Sequence, residues 1–367
     1  MTKSSVPLIF ATAVLTVVPC FGQINKPVKT EAPAKGQDTE QTLHRSSKSV
    51  LGIYYEGVTP DGRGNIWVGG SIWLLQGLLL HYEGEQIVNA VIPNSIKIVK
   101  DLFFTEASTG WLIADGNFLY HTTDGGTTWK QSFKAERDLS SLAFSDQFNG
   151  WSAGAHGVIY HTSDAGITWL KQDSSTTYNL NKILFVDSVH GWAIGGIWKG
   201  SPAFQWMPVF LSTNNGGKTW KTMPVLDLPA TLTFITGGHG WGIDKQNNIL
   251  KTDDGGENWV IQYQPGKATR LSSIYFLNAL EGWVAGDEIL HTEDGGETWS
   301  VLNDHDLPTF FDKIVFTNNN RGWAFGFRVE PESFSTRDGG KTWTRVPDTW
   351  KKELIEKVYS ANFRSRL

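Results

Sequence analysis

The sequence predicts an all-β fold made of similar four-stranded units, because two short motifs recur along it with a period of about 40 residues. The dipeptide Gly-Trp opens a short apolar stretch at Trp111, Trp151, Trp192, Trp241, Trp283 and Trp323. A turn of the form Thr-x-Asp-x-Gly-x-Thr-Trp, with small changes, follows each of them and ends at Trp129, Trp169, Trp220, Trp259, Trp299 and Trp343. Two series that run in parallel indicate one repeated unit, which is typical of a β-propeller.

Each unit contains four short stretches with the alternation expected of half-buried antiparallel strands. The first is an apolar run such as 102–104 or 314–316, and the second begins at Gly-Trp. The third ends in His-Thr, Ser-Thr or Lys-Thr just before the turn, and the fourth starts at the Trp that ends the turn. Each blade of the predicted propeller is therefore a four-stranded antiparallel sheet.

The predicted number of blades is seven, with six and eight as the alternatives. Six units are clear, and residues 49–70 align with them as a weaker first unit in which Asn-Ile-Trp replaces Gly-Trp and the aspartate has been lost. Residues 354–363 resemble another first strand. We expect them to pair with the first blade, which would remove a free sheet edge.

The recurrent turn, called the aspartate turn below, is predicted to stabilise the fold rather than to form a site. A catalytic group is normally unique, whereas this position recurs as Asp124, Asp164, Asn215, Asp254, Asp294 and Asp338. An amide at Asn215 can still accept hydrogen bonds from the turn but would damage catalysis. His121, His161 and His291 share one repeat position with Ser212, Lys251 and Ser335, which also argues against a ligand role. No metal and no cofactor are expected.

The N-terminus indicates export from the cytoplasm. Residues 1–22 have the features of a signal peptide, with Lys3 before an apolar stretch that is too short to span a bilayer. Pro19 before Cys20 argues against a lipoprotein, and Cys20 is the only cysteine. Residues 23–48 are predicted to be a disordered linker and 49–367 a single propeller domain. The net charge of −5 argues against nucleic-acid binding, and a periplasmic or secreted location is expected.

The aspartate turn resembles the Asp-box, or bacterial neuraminidase repeat. The combination of an Ile-x-Phe-type run, Gly-Trp and the aspartate turn is more specific than the Asp-box alone. It resembles the photosystem II stability/assembly factor-like family of seven-bladed propellers over residues 50–365. That resemblance implies a chaperone or scaffold that binds a protein or a membrane-protein complex on the exported side, in the lumen if the host is photosynthetic. A monomer is expected.

A glycan-binding protein or a sialidase-like glycoside hydrolase is the alternative. The arginine-containing motif that marks sialidases is absent from the sequence, and Arg137 and Arg270 lie in ordinary predicted turns. Asp115, Asp244 and Asp287 each follow a Gly-Trp strand and could converge on one face, where a pair of carboxylates could hydrolyse a glycoside. Aspartate is also simply favoured in such turns. We therefore expect no catalytic residues.

The fourth unit departs most from the repeat, because residues 196–210 form an insertion between its second and third strands. It contains Trp198, Lys199, Phe204, Trp206 and Met207, and its loop is predicted to lie on the face opposite the aspartate turns. Exposed aromatic residues would suit a contact with a protein or a sugar. The alternatives are a plug in the channel mouth or a simple hairpin extension. A smaller insertion at 327–333 adds Arg328, Glu330 and Glu332 on the same predicted face.

Overall fold

The computed structural model describes residues 53–72, 76–91, 96–200, 205–224, 231–266, 269–302, 310–327 and 331–347, together with Lys351. These residues form seven sheets, and each sheet consists of four consecutive antiparallel strands. The prediction of an all-β propeller with seven four-stranded blades is confirmed. Within the described part of the chain, no helix is long and apolar enough to cross a membrane.

The blades are numbered in chain order. Their strands are as follows: blade 1, β1 (Ile53–Pro60), β2 (Ile66–Ile72), β3 (Gln76–Glu83) and β4 (Gln86–Val91); blade 2, β5 (Val99–Glu106), β6 (Thr109–Ala114), β7 (Phe118–Thr122) and β8 (Lys130–Lys134); blade 3, β9 (Leu139–Phe144), β10 (Gly150–Gly154), β11 (Ile159–Thr162) and β12 (Leu170–Gln172); blade 4, β13 (Asn179–Phe185), β14 (Gly191–Lys199), β15 (Gln205–Thr213) and β16 (Lys221–Thr222). The remaining strands are: blade 5, β17 (Thr231–Phe234), β18 (Gly240–Ile243), β19 (Ile249–Thr252) and β20 (Val260–Tyr263); blade 6, β21 (Leu271–Phe276), β22 (Gly282–Gly286), β23 (Ile289–Thr292) and β24 (Ser300–Val301); blade 7, β25 (Phe310–Phe316), β26 (Gly322–Phe327), β27 (Pro331–Thr336) and β28 (Thr344–Arg345).

The core lies between the blades. The first strands of neighbouring blades contact each other around the ring, from β1 with β5 to β25 with β1, so they form its inner wall. The second strands are buried on both faces: every residue of β10 and β22 is buried. The fourth strands form the outer rim, and β16 and β24 are exposed. Burial of both faces explains why the second strands read as continuous apolar runs rather than as alternating ones.

The tryptophan of each Gly-Trp motif joins its blade to the following blade. The Trp151 ring stacks on Phe185 of blade 4 at 3.5 Å between centroids, with 6° between the ring planes. Its indole N–H donates a hydrogen bond to the carbonyl of Gly216 in the aspartate turn of the same neighbour, at 3.1 Å. The same bond joins Trp192 to Gly255, Trp241 to Gly295 and Trp283 to Gly339. The aspartate turns of blades 4 to 7 are therefore each part of a contact between two blades.

The ring closes between blades 7 and 1 through equivalent contacts. The Trp323 indole donates to the carbonyl of Gly84, which lies in the β3–β4 turn of blade 1, at 3.0 Å. The Lys313 ammonium donates to the Glu56 carbonyl at 2.6 Å. Blade 1 has four strands of its own between residues 53 and 91. The predicted closing strand at 354–363, the signal peptide and the linker lie outside the described residues.

Candidate functional site

The insertion of blade 4 lengthens a β-hairpin. β14 and β15 pair from Gly191 with Thr213 to Lys199 with Gln205, which makes them the longest second and third strands of the described blades. The β14–β15 connection lies at the opposite end of β15 from the aspartate turn, as predicted. Of the alternatives left open by the sequence, the hairpin extension is the one observed.

One face of this hairpin carries a pair of tryptophans. Trp198 and Trp206 are register partners, and their rings lie 5.4 Å apart at 56°. Trp206 packs against the backbone of Gly196, where a Cβ atom would lie 2.6 Å from the indole Cζ2. Trp206 is therefore half-buried and held in place, while 60% of Trp198 remains exposed. An apolar ring of this size that has no cover within the described residues is available for contact with another molecule.

The other face of the hairpin has a smaller apolar patch beside a cation. Met207 pairs with Ile197 and is 37% exposed. The Lys199 ammonium donates to the Tyr178 hydroxyl at 3.2 Å and lies 4.8 Å from the centre of the Tyr178 ring. Phe204 and Arg328, the other two predicted partner-binding residues, lie outside the described residues, as does Glu330. Glu332 pairs with Arg345 at 3.2 Å.

The aspartate turns are closed hydrogen-bonded units. In blade 2 the Thr122 hydroxyl donates to Asp124 Oδ1 at 2.8 Å, and the Gly126 N–H donates to the Thr122 hydroxyl oxygen at 3.0 Å. The Thr128 N–H donates to Oδ1 and its hydroxyl donates to Oδ2, at 2.9 and 2.6 Å. These bonds from Thr128 and Thr122 lower the pKa of Asp124 to about 2. Bonds from Thr298 and Thr292 lower the pKa of Asp294 to the same value.

Asn215 reproduces this turn with an amide. Its Oδ1 accepts from the Thr213 hydroxyl and from the Thr219 N–H, and its Nδ2 donates to the Thr219 hydroxyl at 2.8 Å. The Trp at the end of each turn meets the first strand of its own blade edge-on, as Trp299 does on Phe276 at 86°. In the five turns that have an aspartate, both carboxylate oxygens accept hydrogen bonds from other residues of the turn.

The remaining candidates from the sequence are also engaged in local contacts. His121, His161 and His291 stack on the Gly-Trp tryptophan of their own blade, at 4.7 to 4.9 Å between centroids. The Asp115 carboxylate accepts from the N–H groups of residues 97 and 98. The Asp244 carboxylate accepts from residues 246 and 248. Arg270 donates to Asp287 at 2.7 Å and lowers the pKa of that carboxyl.

Sequence reasoning missed a ring of polar side chains on the inner strands. Asp101, Lys182 and Lys313 occupy the residue before the apolar run of blades 2, 4 and 7, and all three are buried. Asp101 accepts the Leu142 N–H of blade 3 at 2.9 Å and lies 3.7 Å from the Lys182 ammonium. Burial lowers the pKa of Lys313 to about 8. A charged residue directly before an apolar run was the available signal.

Seven blades and six aspartate turns define a propeller of the bacterial neuraminidase repeat class. Residues 86–173 and 218–315, which together make up half of the chain, match the family model of the photosynthesis system II assembly factor YCF48. The chain belongs to this family. The sequence has no match among curated proteins.

Several solved structures are similar to this one. YCF48 bound to D1 peptide has a TM-score of 0.59 at 18% identity, over 76% of this chain and 90% of that chain. YCF48 from Cyanidioschyzon merolae has a TM-score of 0.52 at 19% identity, over 68% of this chain and 85% of that chain. PorZ, a component of the type-IX secretion system of Porphyromonas gingivalis, has a TM-score of 0.55 at 10% identity, over 81% of this chain and 38% of that chain. At these identities the likeness concerns the fold.

Proposed function

We propose that this chain is an exported, non-catalytic propeller that binds a segment of another protein during the assembly of a membrane-protein complex. The observation that carries the proposal is the exposed Trp198 at the end of a lengthened hairpin. Membership of the YCF48 family supports a role in assembly. The relative that is bound to D1 peptide is an example of a propeller of this kind with a peptide ligand.

The hairpin has the properties of a preformed binding element. The backbone of Trp198 and Trp206 is fixed by the β14–β15 ladder, and Trp206 is wedged against Gly196. A tryptophan that is already ordered loses little conformational entropy on binding, so most of its apolar burial contributes to affinity. Trp and Met are also enriched at the centres of protein interfaces.

The partner segment is proposed to be apolar, with an acidic group nearby. Trp198 would cover an apolar side chain, because 60% of it is exposed. Lys199 follows it at the end of β14 and is itself exposed, so it would attract a carboxylate. A C-terminal or acidic peptide of an exported or membrane protein has this chemistry. The fourth strands and the aspartate turns are not needed for this contact.

The test is site-specific crosslinking in intact cells, with a photoreactive residue in place of Trp198 and Met207. A discrete crosslinked protein is expected. The double variant Trp198→Ser with Trp206→Ser should abolish the capture of that protein by the purified chain. Ile167→Ser is the matched control, since Ile167 is 76% exposed but lies in the aspartate turn of blade 3. Equal capture by the double variant, or equal loss in the control, would contradict the proposed contact.

Export and the absence of catalysis need separate measurements. N-terminal sequencing of the protein from the periplasmic fraction or medium should find a chain that begins at Gln23, and a cytoplasmic full-length chain would contradict export. Sialosides and β-glucans should remain uncleaved, because the Asp244 carboxylate accepts hydrogen bonds within its own turn and the Asp287 carboxylate is held by Arg270. Hydrolysis that is lost in Asp244→Asn would favour the glycosidase alternative, and binding to a glycan array that requires Trp198 would favour the glycan-binding one.

A further inference from the structure

Three side chains of blade 6 form a cluster that the fold does not require. Glu281, His291 and Glu293 each offer one ligand atom, and these atoms lie within 4.8 Å of one another. His291 Nε2 lies 2.8 Å from Glu281 Oε1. The side chains of His291 and Glu281 are 9% and 19% exposed, while Glu293 is exposed. The cluster lies on the face of the aspartate turns, opposite the loop of the blade 4 hairpin.

The strand register explains why the three side chains meet. Trp283 pairs with His291, and Gly282 pairs with Thr292. One further step of the same register places Glu281 opposite Glu293. Side chains two residues apart on a strand share a face, so Glu281, Glu293 and His291 all project from the face of Trp283. The His291 ring stacks on the Trp283 indole at 4.9 Å, which fixes its plane.

The other blades show that this combination is not part of the repeat. The three equivalent positions of the six other described blades are Asn65, His81 and Glu83; Thr109, His121 and Thr123; Asn149, His161 and Ser163; His190, Ser212 and Asn214; His239, Lys251 and Asp253; and Arg321, Ser335 and Arg337. Among the seven described blades, blade 6 is the one with an imidazole and two carboxylates there. In blade 1, Asp61 and Glu83 approach different nitrogens of His81, so they could not share an ion with one ring atom.

Two carboxylates that face each other across a strand pair repel, and the arrangement favours a cation between them. An imidazole nitrogen with two carboxylate oxygens suits Zn²⁺ or a divalent transition metal better than Ca²⁺ or Mg²⁺, which prefer oxygen ligands alone. Zinc uses these ligand types at about 2.0–2.2 Å. The exposed Glu293 can rotate to reach that distance, while the His291 ring is held by its stack on Trp283 and Glu281 by its hydrogen bond with His291.

We propose that Glu281, His291 and Glu293 bind one Zn²⁺ ion, with a fourth coordination position open to water on the aspartate-turn face. The ion would join the turn before β22 to the turn after β23. This site is independent of the proposed hairpin contact, because it lies on the opposite face and shares no residue with it.

The test is calorimetric titration of the metal-free, untagged protein with zinc chloride. One ion should bind, and the melting temperature should rise with the zinc concentration. His291→Ser should weaken binding by more than about 100-fold, since even the outer partners of metal ligands are worth about 10–100-fold. Serine at this position is native to blades 4 and 7, where it is Ser212 and Ser335, so the variant is compatible with the fold.

Two further variants make the result specific. Glu293→Thr changes an exposed residue to the type found at Thr123, and it should weaken zinc binding by at least about tenfold without lowering the zinc-free melting temperature. His121→Ser removes the equivalent histidine of blade 2, which has no neighbouring carboxylate at these positions, and should leave zinc binding unchanged. Absence of binding to the wild type, or undiminished binding to His291→Ser or Glu293→Thr, would overturn the proposal, as would equal loss in His121→Ser.

Discussion

The contact between each Gly-Trp tryptophan and the following blade makes a quantitative prediction about stability. Trp241 and Trp111 occupy the same repeat position, are both fully buried and both stack on a phenylalanine of the next blade. They differ at the indole nitrogen. The Trp241 N–H donates to the Gly295 carbonyl at 2.9 Å, whereas the Trp111 nitrogen is buried without a hydrogen-bond partner within the described residues. Phenylalanine at either position keeps the stack and removes the nitrogen.

The two substitutions should therefore differ in cost. Both lose about 1 kcal/mol for the smaller ring volume. Trp241→Phe also leaves the buried Gly295 carbonyl without its donor, which costs about 1–3 kcal/mol. Trp111→Phe instead removes an unsatisfied buried donor, which offsets most of its volume loss. We expect Trp241→Phe to be less stable than Trp111→Phe by about 2 kcal/mol.

Urea unfolding followed by circular dichroism measures this difference. For a chain of this size an m-value of at least about 3 kcal/mol/M is expected, so a difference of about 2 kcal/mol should separate the midpoints by up to about 0.7 M. Equal midpoints for the two variants would refute the claim that the indole hydrogen bonds hold the blades together. A lower midpoint for Trp111→Phe than for Trp241→Phe would refute it as well.

Three further predictions concern single residues. Ala165 has a φ of 61° where the other five aspartate turns have glycine, so Ala165→Gly should raise the free energy of unfolding by up to about 1 kcal/mol, and an unchanged or lower urea midpoint would contradict this. Asp294 has a pKa of about 2 against 3.8 for a free carboxyl, so its contribution to stability is complete above pH 3.8 and is lost as the pH falls through 2. Asp294→Asn, which copies Asn215, should melt near the wild type at pH 7 and show a weaker loss on acidification, whereas Asp294→Ala should melt lower at pH 7. The pKa of Lys313 is about 8 against 10.5, so the unfolded chain binds more protons between these values and stability should rise with pH across that window. Denaturation at pH 7.5 and pH 10 should show a smaller rise for Lys313→Met, and an equal rise would exclude Lys313 as its source.

The sequence predicts the architecture well because a repeat supplies its own comparisons. The period of the Gly-Trp motif counts six of the blades, and the weaker alignment of residues 49–70 adds the seventh. The exchange of Asp for Asn215 predicts a structural role for the aspartate turn, since an amide can accept the bonds that the turn needs but cannot replace a catalytic carboxylate. The excess length of blade 4 locates the extended hairpin in the sequence. The antiparallel order of the strands predicts that its loop lies on the face of the ring opposite the aspartate turns.

The contacts between blades could not be predicted from the sequence. No local sequence pattern predicts that the Trp241 indole donates a hydrogen bond to a glycine of the next blade, because that bond depends on how two sheets pack. The blade 6 cluster needs the register as well. If β22 were shifted by one residue against β23, Glu281 and Glu293 would fall on opposite faces and could not meet. The sequence shows a charged residue within an inner strand, such as Lys313. Its contacts could not be predicted, because they depend on the neighbouring blade.

The hydrogen bonds between blades explain why loop length is constrained on one face of the ring and less constrained on the other. Each described aspartate turn from blade 4 to blade 7 supplies a carbonyl to the preceding indole, so an insertion there would separate two blades. The described residues beside the β14–β15 connection, 197–200 and 205–207, supply no such bond, and a longer loop costs only loop-closure entropy, which grows slowly with length. An aromatic extension is therefore tolerated on that face. On the face of the aspartate turns, the residues that can be exchanged most freely are those, such as Glu293, whose side chains make no hydrogen bond that the turn needs. Such positions can form a small site, for example a metal site, without a change in the length of the turn.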